Sequence, residues 1–119
     1  MNTKIDPNKI DRSQVDCIII DRYCVYFDRE DSDYVHSFTW KLHRGLHYYY
    51  AYREYVLNGK IKRVYMHREI CGCPKNRVPH HLNYYGLDNR KSNLEIMTVE
   101  QHKLLHNRTT RPKKFPKGS

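Results

Sequence analysis

Half of the eight histidines in this 119-residue chain fall in one short segment, as two pairs with different spacings. His80 and His81 are adjacent, and adjacent side chains on a strand point to opposite faces, so a shared role requires a bend. The sequence NYYG at residues 83–86 predicts such a bend. His102 and His106 are four residues apart, which places them on one face of a helix and suits a single metal ion. The two pairs therefore predict acid–base or metal chemistry if the fold brings them together.

The stretch between the two histidine pairs indicates how they meet. Residues 86–98 read GLDNRKSNLEIMT. Within this stretch Asn89 and Asn93 can hydrogen-bond backbone groups and hold an irregular loop. Thr98 and Gln101 match a capping box, so a helix should begin at this point. A hairpin packed on that helix would bring the two histidine pairs together.

Composition favours a polyanionic partner. Lysine and arginine number 22 against 13 acidic residues, and the net charge of +9 and pI near 9.5 make nucleic acid the first candidate. A membrane partner is not expected, because the one dense apolar run, residues 17–20, is too short to cross a bilayer. The start of the chain lacks an apolar signal stretch, which predicts a cytoplasmic protein with free thiols at its four cysteines.

The first half of the chain predicts strands and one short helix. Residues 17–27, CIIIDRYCVYF, are rich in β-branched and aromatic residues and are interrupted at Asp21-Arg22, which fits a kinked strand or a tight hairpin. The acidic stretch at 28–33 can open a short helix. Phe38, Trp40 and Leu42 then alternate with polar residues and predict a half-buried strand.

Asn58-Gly59 supplies the two positive-φ positions of a type I′ turn and predicts a hairpin with a readable register. The predicted cross-strand pairs are Leu57 with Lys60, Val56 with Ile61, Tyr55 with Lys62, Glu54 with Arg63, Arg53 with Val64 and Tyr52 with Tyr65. The face predicted as core carries Tyr48, Tyr50, Tyr52, Val56, Ile61 and Tyr65. The opposite, cationic face carries Arg53, Tyr55, Lys60 and Lys62, with Lys41 and His43 added from the preceding strand. That cationic face is either a solvated surface or a DNA-contact surface.

The remaining sequence signals concern a short helix, the basic end of the chain and two nearby cysteines. Residues 66–71 predict a short helix that Gly72 ends, with Pro74 just beyond it. The final residues, 111–119, are basic without an acid and predict a flexible arm. Cys71 and Cys73 are too close for the usual zinc-ribbon spacing, so free thiols are the preferred interpretation.

Residues 66–107, MHREICGCPKNRVPHHLNYYGLDNRKSNLEIMTVEQHKLLHN, resemble the HNH endonuclease family in its phage and mobile-element members. The shared elements are MHR-x-I-x-G-x-P-K, a residue pair ending in histidine, LDNR-x-S-NL, and T-x-x-x-H. The similarity reaches back to about residue 14 through a W…YA…NGK pattern. One position departs from the family, because His80 stands where mobile-element relatives often have aspartate. A His-His pair with two helix histidines four apart is similar instead to bacteriocin-type DNases of the same superfamily.

The resemblance implies roles for individual residues. His81 would be the general base that takes a proton from the water attacking a DNA phosphate, as an imidazole can at neutral pH. Asn93 would orient the loop and His81, with Asn89 as the alternative. The implied ligands of one divalent ion at the scissile phosphate are His80, His102 and His106. Imidazole ligands favour Zn, Ni, Co or Mn over Mg, and the identity of the ion is left open.

DNA contacts are assigned to six cations. Arg68 and Arg90 flank the motif and are predicted to clamp phosphates. The cations expected to contact DNA from the sheet are Lys41, Arg53, Lys60 and Lys62.

The predicted fold class is α+β: an N-terminal antiparallel three-stranded β-meander followed by a ββα-metal (HNH) motif. The chain divides into a flexible lead-in at 1–13, a β-rich DNA-binding region at 14–70, the nuclease motif at 71–110 and a basic flexible tail at 111–119.

The predicted function is that of a metal-dependent endonuclease that nicks or cuts double-stranded DNA. The alternatives are a catalytically inactive DNA-binding module that keeps the fold, and a small structural zinc protein. A monomer with one such site would nick DNA, whereas double-strand cutting needs a second site through homodimerisation or a second cleavage event; both outcomes fit the sequence.

Overall fold

The computed structural model describes residues 13–109, with side chains described up to residue 105. The architecture is α+β, with antiparallel sheets and short helices. In chain order the elements are β1 (Val15–Ile20), β2 (Tyr23–Asp28), α1 (Ser32–His36), β3 (Lys41–Arg44), β4 (Tyr49–Leu57), β5 (Lys60–Tyr65), α2 (Met66–Cys71), β6 (Arg77–His81), β7 (Leu94–Thr98) and α3 (Val99–Thr109). The predicted basic tail and all but the last residue of the predicted lead-in lie outside the described residues.

The first hairpin pairs β1 with β2, which decides for the tight hairpin over the kinked strand. Its turn residues Asp21 and Arg22 both have positive φ, 50° and 76°, as a type I′ turn requires. The outer edge of β2 is bonded to the later loop, since the Tyr26 amide donates to the Leu87 carbonyl (2.8 Å) and the Asn89 amide donates to the Tyr26 carbonyl (2.7 Å). The β-rich region and the loop between β6 and β7 are therefore joined through β2.

The strands β3, β4 and β5 form the predicted antiparallel meander in that order. All the predicted pairs between β4 and β5, from Tyr52 with Tyr65 to Leu57 with Lys60, are confirmed. Asn58 and Gly59 have φ of 52° and 77°, so the turn has the predicted conformation.

At the base of β4 both faces are buried: the prediction of Tyr52 as core is confirmed, at 8% exposure, but the opposite face was also predicted to be a cationic surface and is not one at Ala51. Ala51 is fully buried and faces the core. Because the residues of a strand alternate between faces, Tyr50 and Tyr52 lie on the opposite side. The small Ala51 side chain leaves room for the main core, whose buried members are Val25, Phe27, Val35, Trp40, Ala51, Met66 and Leu87. The sequence favoured the tyrosine side as core because the other side carries Arg53, Lys60 and Lys62.

Two consequences follow for the meander. Lys41 pairs with Tyr52 and His43 pairs with Tyr50, so both lie on the tyrosine side and not beside Arg53, as had been predicted. At the other end, Val56 and Ile61 are each 68% exposed, so their prediction as core is also wrong. The tip of the hairpin extends beyond the elements that pack on its base.

The second half of the chain forms a hairpin followed by a helix. β6 pairs with β7 from Arg77–Thr98 to His81–Leu94, and α3 starts directly after β7. The predicted capping box is confirmed, because the Gln101 amide donates to Thr98 Oγ1 (3.0 Å) and the Thr98 amide donates to Gln101 Oε1 (2.9 Å). α2 ends at Gly72, which has the left-handed φ of 66° expected of a C-terminal cap.

Two expectations about the chain as a whole can be compared with the structure. In the part of the chain that is described, no helix is long and apolar enough to cross a membrane. The four cysteines are free thiols.

Candidate active site

The end of β6 carries His80 and His81 into the interior, where they are 5% and 4% exposed. The ring of His80 contacts the ring of His102 on α3, with centres 5.5 Å apart. The ring of His81 lies 5.1 Å from that of His67 on α2. The strand thus directs its two histidines at two different helices, in agreement with the alternation of side chains along β structure.

The histidines of β6 and α3 nevertheless share one crevice. It is lined by Tyr48, Tyr50, Pro79, His80, His81 and His102 and has a volume of about 10 Å³. A cavity of this size holds about one water molecule. The predicted meeting of His80, His81 and His102 is therefore present, with the tyrosine side of β4 as the opposite wall.

His81 is held by one hydrogen bond from its ring. Its Nε2 lies 2.9 Å from Oδ1 of Asn89, and both side chains are buried. An amide oxygen only accepts, so in this arrangement Nε2–H donates and Nδ1 keeps the basic lone pair of the neutral ring. Burial lowers the pKa of His81 below its usual value, and nearby His102 adds to this, while the bond to Asn89 and the charge of Asp88 oppose it. The ring is therefore neutral at pH 7.

Asn93 holds the loop and does not contact the ring of His81. It is fully buried, its Oδ1 accepts from the Asn83 amide (3.0 Å), and its Nδ2 donates to the Asp88 carbonyl (2.9 Å) and to Asn83 Oδ1 (2.9 Å). The prediction that Asn93 orients the loop agrees with these bonds. The ring contact belongs to Asn89, which had been the alternative.

Arg90 is the second support of this loop, and its contacts argue against the predicted role of phosphate clamp. Its guanidinium donates from Nε to Oδ1 of Asp88 (2.8 Å) and from Nη2 to Oδ2 (2.6 Å). The two side chains are 2% and 3% exposed. A guanidinium that is enclosed in this way cannot reach a DNA backbone.

The separation of His80 and His102 is compatible with two ligands of one metal ion. With metal–nitrogen bonds of about 2.0–2.1 Å, two imidazoles on one tetrahedral ion have ring centres about 5 Å apart, and these two rings are 5.5 Å apart. His106 lies on α3 one turn further on, but its side chain is outside the described residues.

A second group of possible metal ligands consists of three carboxylates that contact Lys91. The carboxylates of Asp28, Glu30 and Asp31 lie within 4.8 Å of one another. The ammonium of Lys91 donates to Glu30 (3.0 Å) and Asp31 (2.9 Å), and the Lys91 amide donates to Asp28 (2.9 Å). The single Lys91 ammonium therefore offsets part of the negative charge of this cluster.

His67 is a site residue to which the sequence analysis gave no role. It is 8% exposed, and its ring stacks on Tyr50 at 4.8 Å with an interplanar angle of 15°. Burial, followed by the proximity of His81 and Arg68, lowers the pKa of His67 to about 3. Its Nδ1 has no hydrogen-bond partner among the described residues. His67 stood in the quoted MHR pattern, but only tertiary packing reveals its contact with His81.

The remaining predicted DNA contacts divide by exposure. Lys60 and Lys62 are exposed on the hairpin, and Lys41 is exposed with its ammonium 2.8 Å from Glu54. Arg53 is 15% exposed, because its guanidinium bonds both oxygens of Glu69 and covers the ring of Phe38. Its guanidinium is therefore engaged by Glu69 and Phe38, and its role as a DNA contact stays a prediction.

Arg68 joins α2 to the following segment. Its guanidinium donates to the carbonyls of Pro74 (3.2 Å) and Arg77 (2.9 Å). Arg63, which was not predicted as a DNA contact, is an exposed cation on the tyrosine side of the sheet, and its guanidinium lies 4.1 Å from the ring centre of Tyr52.

No family model, curated protein or solved structure matches the chain. The resemblance to HNH endonucleases therefore stays a prediction, and a function has to be argued from the residues of the site.

Proposed function

We propose that the protein is a metal-dependent endonuclease of the HNH type that hydrolyses phosphodiester bonds of double-stranded DNA. The observation that carries this proposal is the crevice in which His81, held through Nε2 by Asn89, lies beside His80 and His102. The hairpin and helix that supply these residues have the order of a ββα-metal motif. The net charge of +9 supports a polyanionic substrate.

In this proposal His81 is the general base. Its lowered pKa leaves Nδ1 unprotonated at pH 7, so it can accept a proton from a water molecule that attacks the phosphorus. The Nε2–H bond to Asn89 keeps the ring in that tautomer and favours the imidazolium that forms on proton transfer. The volume of the crevice matches one water molecule.

His80 and His102 would hold one divalent ion, with the predicted third ligand His106 on the same helix. When bound, such an ion would offset the negative charge that develops on the phosphate and on the leaving 3′-oxygen. Imidazole ligands favour Zn, Ni, Co or Mn over Mg.

DNA binding is assigned to the exposed hairpin of β4 and β5. Lys60, Lys62 and Arg63 are exposed along β5, and Lys41 is exposed on β3. A two-stranded ribbon fits the major groove, and phosphate contacts from such cations supply affinity that depends strongly on salt. Arg53, Arg68 and Arg90 are left out of this surface, because their guanidinium groups bind other parts of the protein.

The second candidate is an inactive DNA-binding module with the same fold. The low exposure of His80 and His81, 5% and 4%, favours it, since a substrate phosphate has to reach Nδ1 through a narrow crevice. The two candidates differ in one property, metal-dependent cleavage.

The test is incubation of supercoiled plasmid with the full chain and one divalent metal at a time. We expect relaxed or linear product with the wild type and a loss of about 10²- to 10⁴-fold in rate for His81→Ala, with DNA binding retained. His36→Ala is the matched control, because His36 is an exposed histidine on α1 that does not line the crevice. Its rate should equal that of the wild type.

The products also separate the remaining alternatives. Relaxed circles that form before any linear product indicate a nicking monomer, and linear product formed directly from supercoiled DNA indicates a homodimer. DNA binding without cleavage in every metal contradicts the proposal and identifies the inactive module. Undiminished cleavage by His81→Ala contradicts the assignment of the base.

A further inference from the structure

A second cavity lies next to the histidine crevice and is lined largely by tyrosines. Its volume is about 280 Å³, and its walls are formed by Tyr23, residues 45–49 and residues 84–87. Five of these residues are tyrosines, contributed by β2, by β4 with the turn before it, and by the loop after β6. The two cavities are adjacent, because Tyr48 lines both and the Tyr84 ring lies 5.3 Å from that of His80.

The backbone around this tyrosine pocket permits little change. A side chain at Gly86 would place its Cβ 2.2 Å from the Tyr49 carbonyl oxygen and 3.1 Å from the Tyr50 ring. Only glycine therefore lets the loop approach β4 this closely. Tyr84 has a φ of 60°, a conformation that is uncommon and strained for a bulky residue. The strain is associated with a tyrosine ring placed between the crevice and the pocket.

The chemistry of the walls selects a flat and uncharged group. Burial raises the pKa of Tyr48 and Tyr85 to about 12, so both phenols are neutral at pH 7. Arg44 is a cation beside two of these tyrosines: its guanidinium lies 5.8 Å from the ring centre of Tyr23 and 5.4 Å from that of Tyr49, and it also pairs with the exposed Asp21 (3.2 Å). A volume just below that of ordinary small-molecule sites, about 300 Å³ and more, suits one planar heterocycle better than a larger ligand.

We propose that the tyrosine pocket binds one unstacked nucleobase of the strand whose phosphate lies at the histidine crevice. The inference rests on the proposed nuclease function and adds a site to it. The shared wall at Tyr48 makes the two cavities adjacent, as the base and the phosphate of one nucleotide are. Aromatic faces stack on any base, so the pocket would accept bases of different sequence. Arg44 would face the backbone of the neighbouring nucleotide.

The test is a titration of the ¹⁵N-labelled full chain, without added metal, with thymidine 5′-monophosphate and deoxyadenosine 5′-monophosphate. Deoxyribose 5-phosphate is the matched probe that lacks the base. We expect the amide signals of residues 45–49 and 84–87 to shift with both nucleotides and not with the sugar phosphate. Equal shifts with the sugar phosphate, or no shifts with the nucleotides, overturn the inference.

Variants locate the binding. Tyr23→Ala removes one wall and should weaken nucleotide binding about 5- to 100-fold, the range for loss of one base–aromatic stack. Phe38→Ala is the control, because Phe38 is an aromatic residue that is 41% exposed against 37% for Tyr23 and lines neither the pocket nor the crevice. Leu46→Asp is a second variant at a position that is 89% exposed, so folding is preserved while the added carboxylate repels the nucleotide phosphate. Unchanged binding in both pocket variants overturns the inference.

The inference and the proposed function fail separately. Plasmid cleavage by the wild type, without nucleotide shifts at the pocket, overturns the nucleobase site and leaves the nuclease standing. Nucleotide shifts at the pocket without cleavage in any metal support the base site and overturn the nuclease.

Discussion

The buried pair of Asp88 and Arg90 allows a sharp prediction about the loop that holds His81. Arg90 bonds both carboxylate oxygens of Asp88, and Oδ2 also accepts from Asn83 Nδ2 at 2.8 Å. In Arg90→Ala the carboxylate stays buried without its counter-charge. Breaking a buried pair in this way typically costs about 3–5 kcal/mol. The free energy of unfolding should fall by that amount, a large part of the roughly 5–15 kcal/mol of a typical domain.

Lys91 supplies a matched control one residue away. Its ammonium pairs with Glu30 and Asp31, but the lysine side chain is 42% exposed and that of Glu30 is 69% exposed. An exposed pair contributes about 0–1 kcal/mol. Because Asp31 is 17% exposed and the ammonium also separates clustered carboxylates, Lys91→Ala should cost about 1 kcal/mol or slightly more, well below the cost of Arg90→Ala. Salt separates the two cases further. About 1 M salt screens the exposed pair and leaves the buried pair largely unaffected.

Urea unfolding followed by fluorescence is a suitable assay, because Trp40 is the single tryptophan and is buried in the core. With a slope of about 2 kcal/mol per molar urea, a loss of about 3 kcal/mol lowers the midpoint by about 1.5 M. If Arg90→Ala and Lys91→Ala shift the midpoint equally, the burial argument is refuted and Arg90 becomes available again as a phosphate contact.

Three further changes follow from the same contacts. His67→Phe keeps the stack on Tyr50 and removes a buried nitrogen that has no partner among the described residues, so stability at pH 7 should stay equal or rise by up to about 1–3 kcal/mol. Because the pKa of His67 is about 3 when folded and near 6.5 when unfolded, stability falls as pH decreases through that window, and the variant should lose about 2 kcal/mol less between pH 7 and 5 in urea titrations. Replacing Lys60 and Lys62 with alanine should lower the salt slope of DNA binding by about two in a filter or anisotropy assay; an unchanged slope excludes both from the interface. Thr98→Ala removes the bond to the Gln101 amide and should cost about 1 kcal/mol of unfolding free energy, and a cost near zero would show that the cap does not stabilise α3.

The parts of the fold that were predictable from sequence are those fixed by local chemistry. Asn58-Gly59 dictates a turn type, and a two-residue turn dictates every pair from Leu57–Lys60 to Tyr52–Tyr65. Thr98 and Gln101 dictate the start of α3 in the same way. In each case the deciding atoms lie within a few residues of one another, so no knowledge of the tertiary structure was required.

Burial could not be predicted because it depends on what packs against each face. Alternation along β4 shows that two faces exist, but it does not say that the face of Ala51 meets the core. The arginines show the same limit. Arg53 and Arg90 are cations in a basic sequence, and only the positions of Glu69 and Asp88 turn them inward. The sequence shows which residues are charged, but only the tertiary structure shows which of those side chains are exposed to solvent.

The histidine site depends both on local sequence signals and on tertiary packing, and the packing sets the pKa values of its histidines. The meeting of His80 and His102 was predictable, because local sequence signals indicate a hairpin followed by a capped helix. The neighbours of His81 were not, since Tyr50 and His67 come from other elements. Their effect is to remove water, which lowers the pKa of His67 and His81 in a chain of net charge +9. A histidine that was charged at pH 7 would attract a phosphate but would have no lone pair for a proton. Because burial keeps His81 neutral, the proposed base retains the lone pair that accepts a proton. The attraction of the DNA phosphates is then supplied by the exposed lysines of the hairpin.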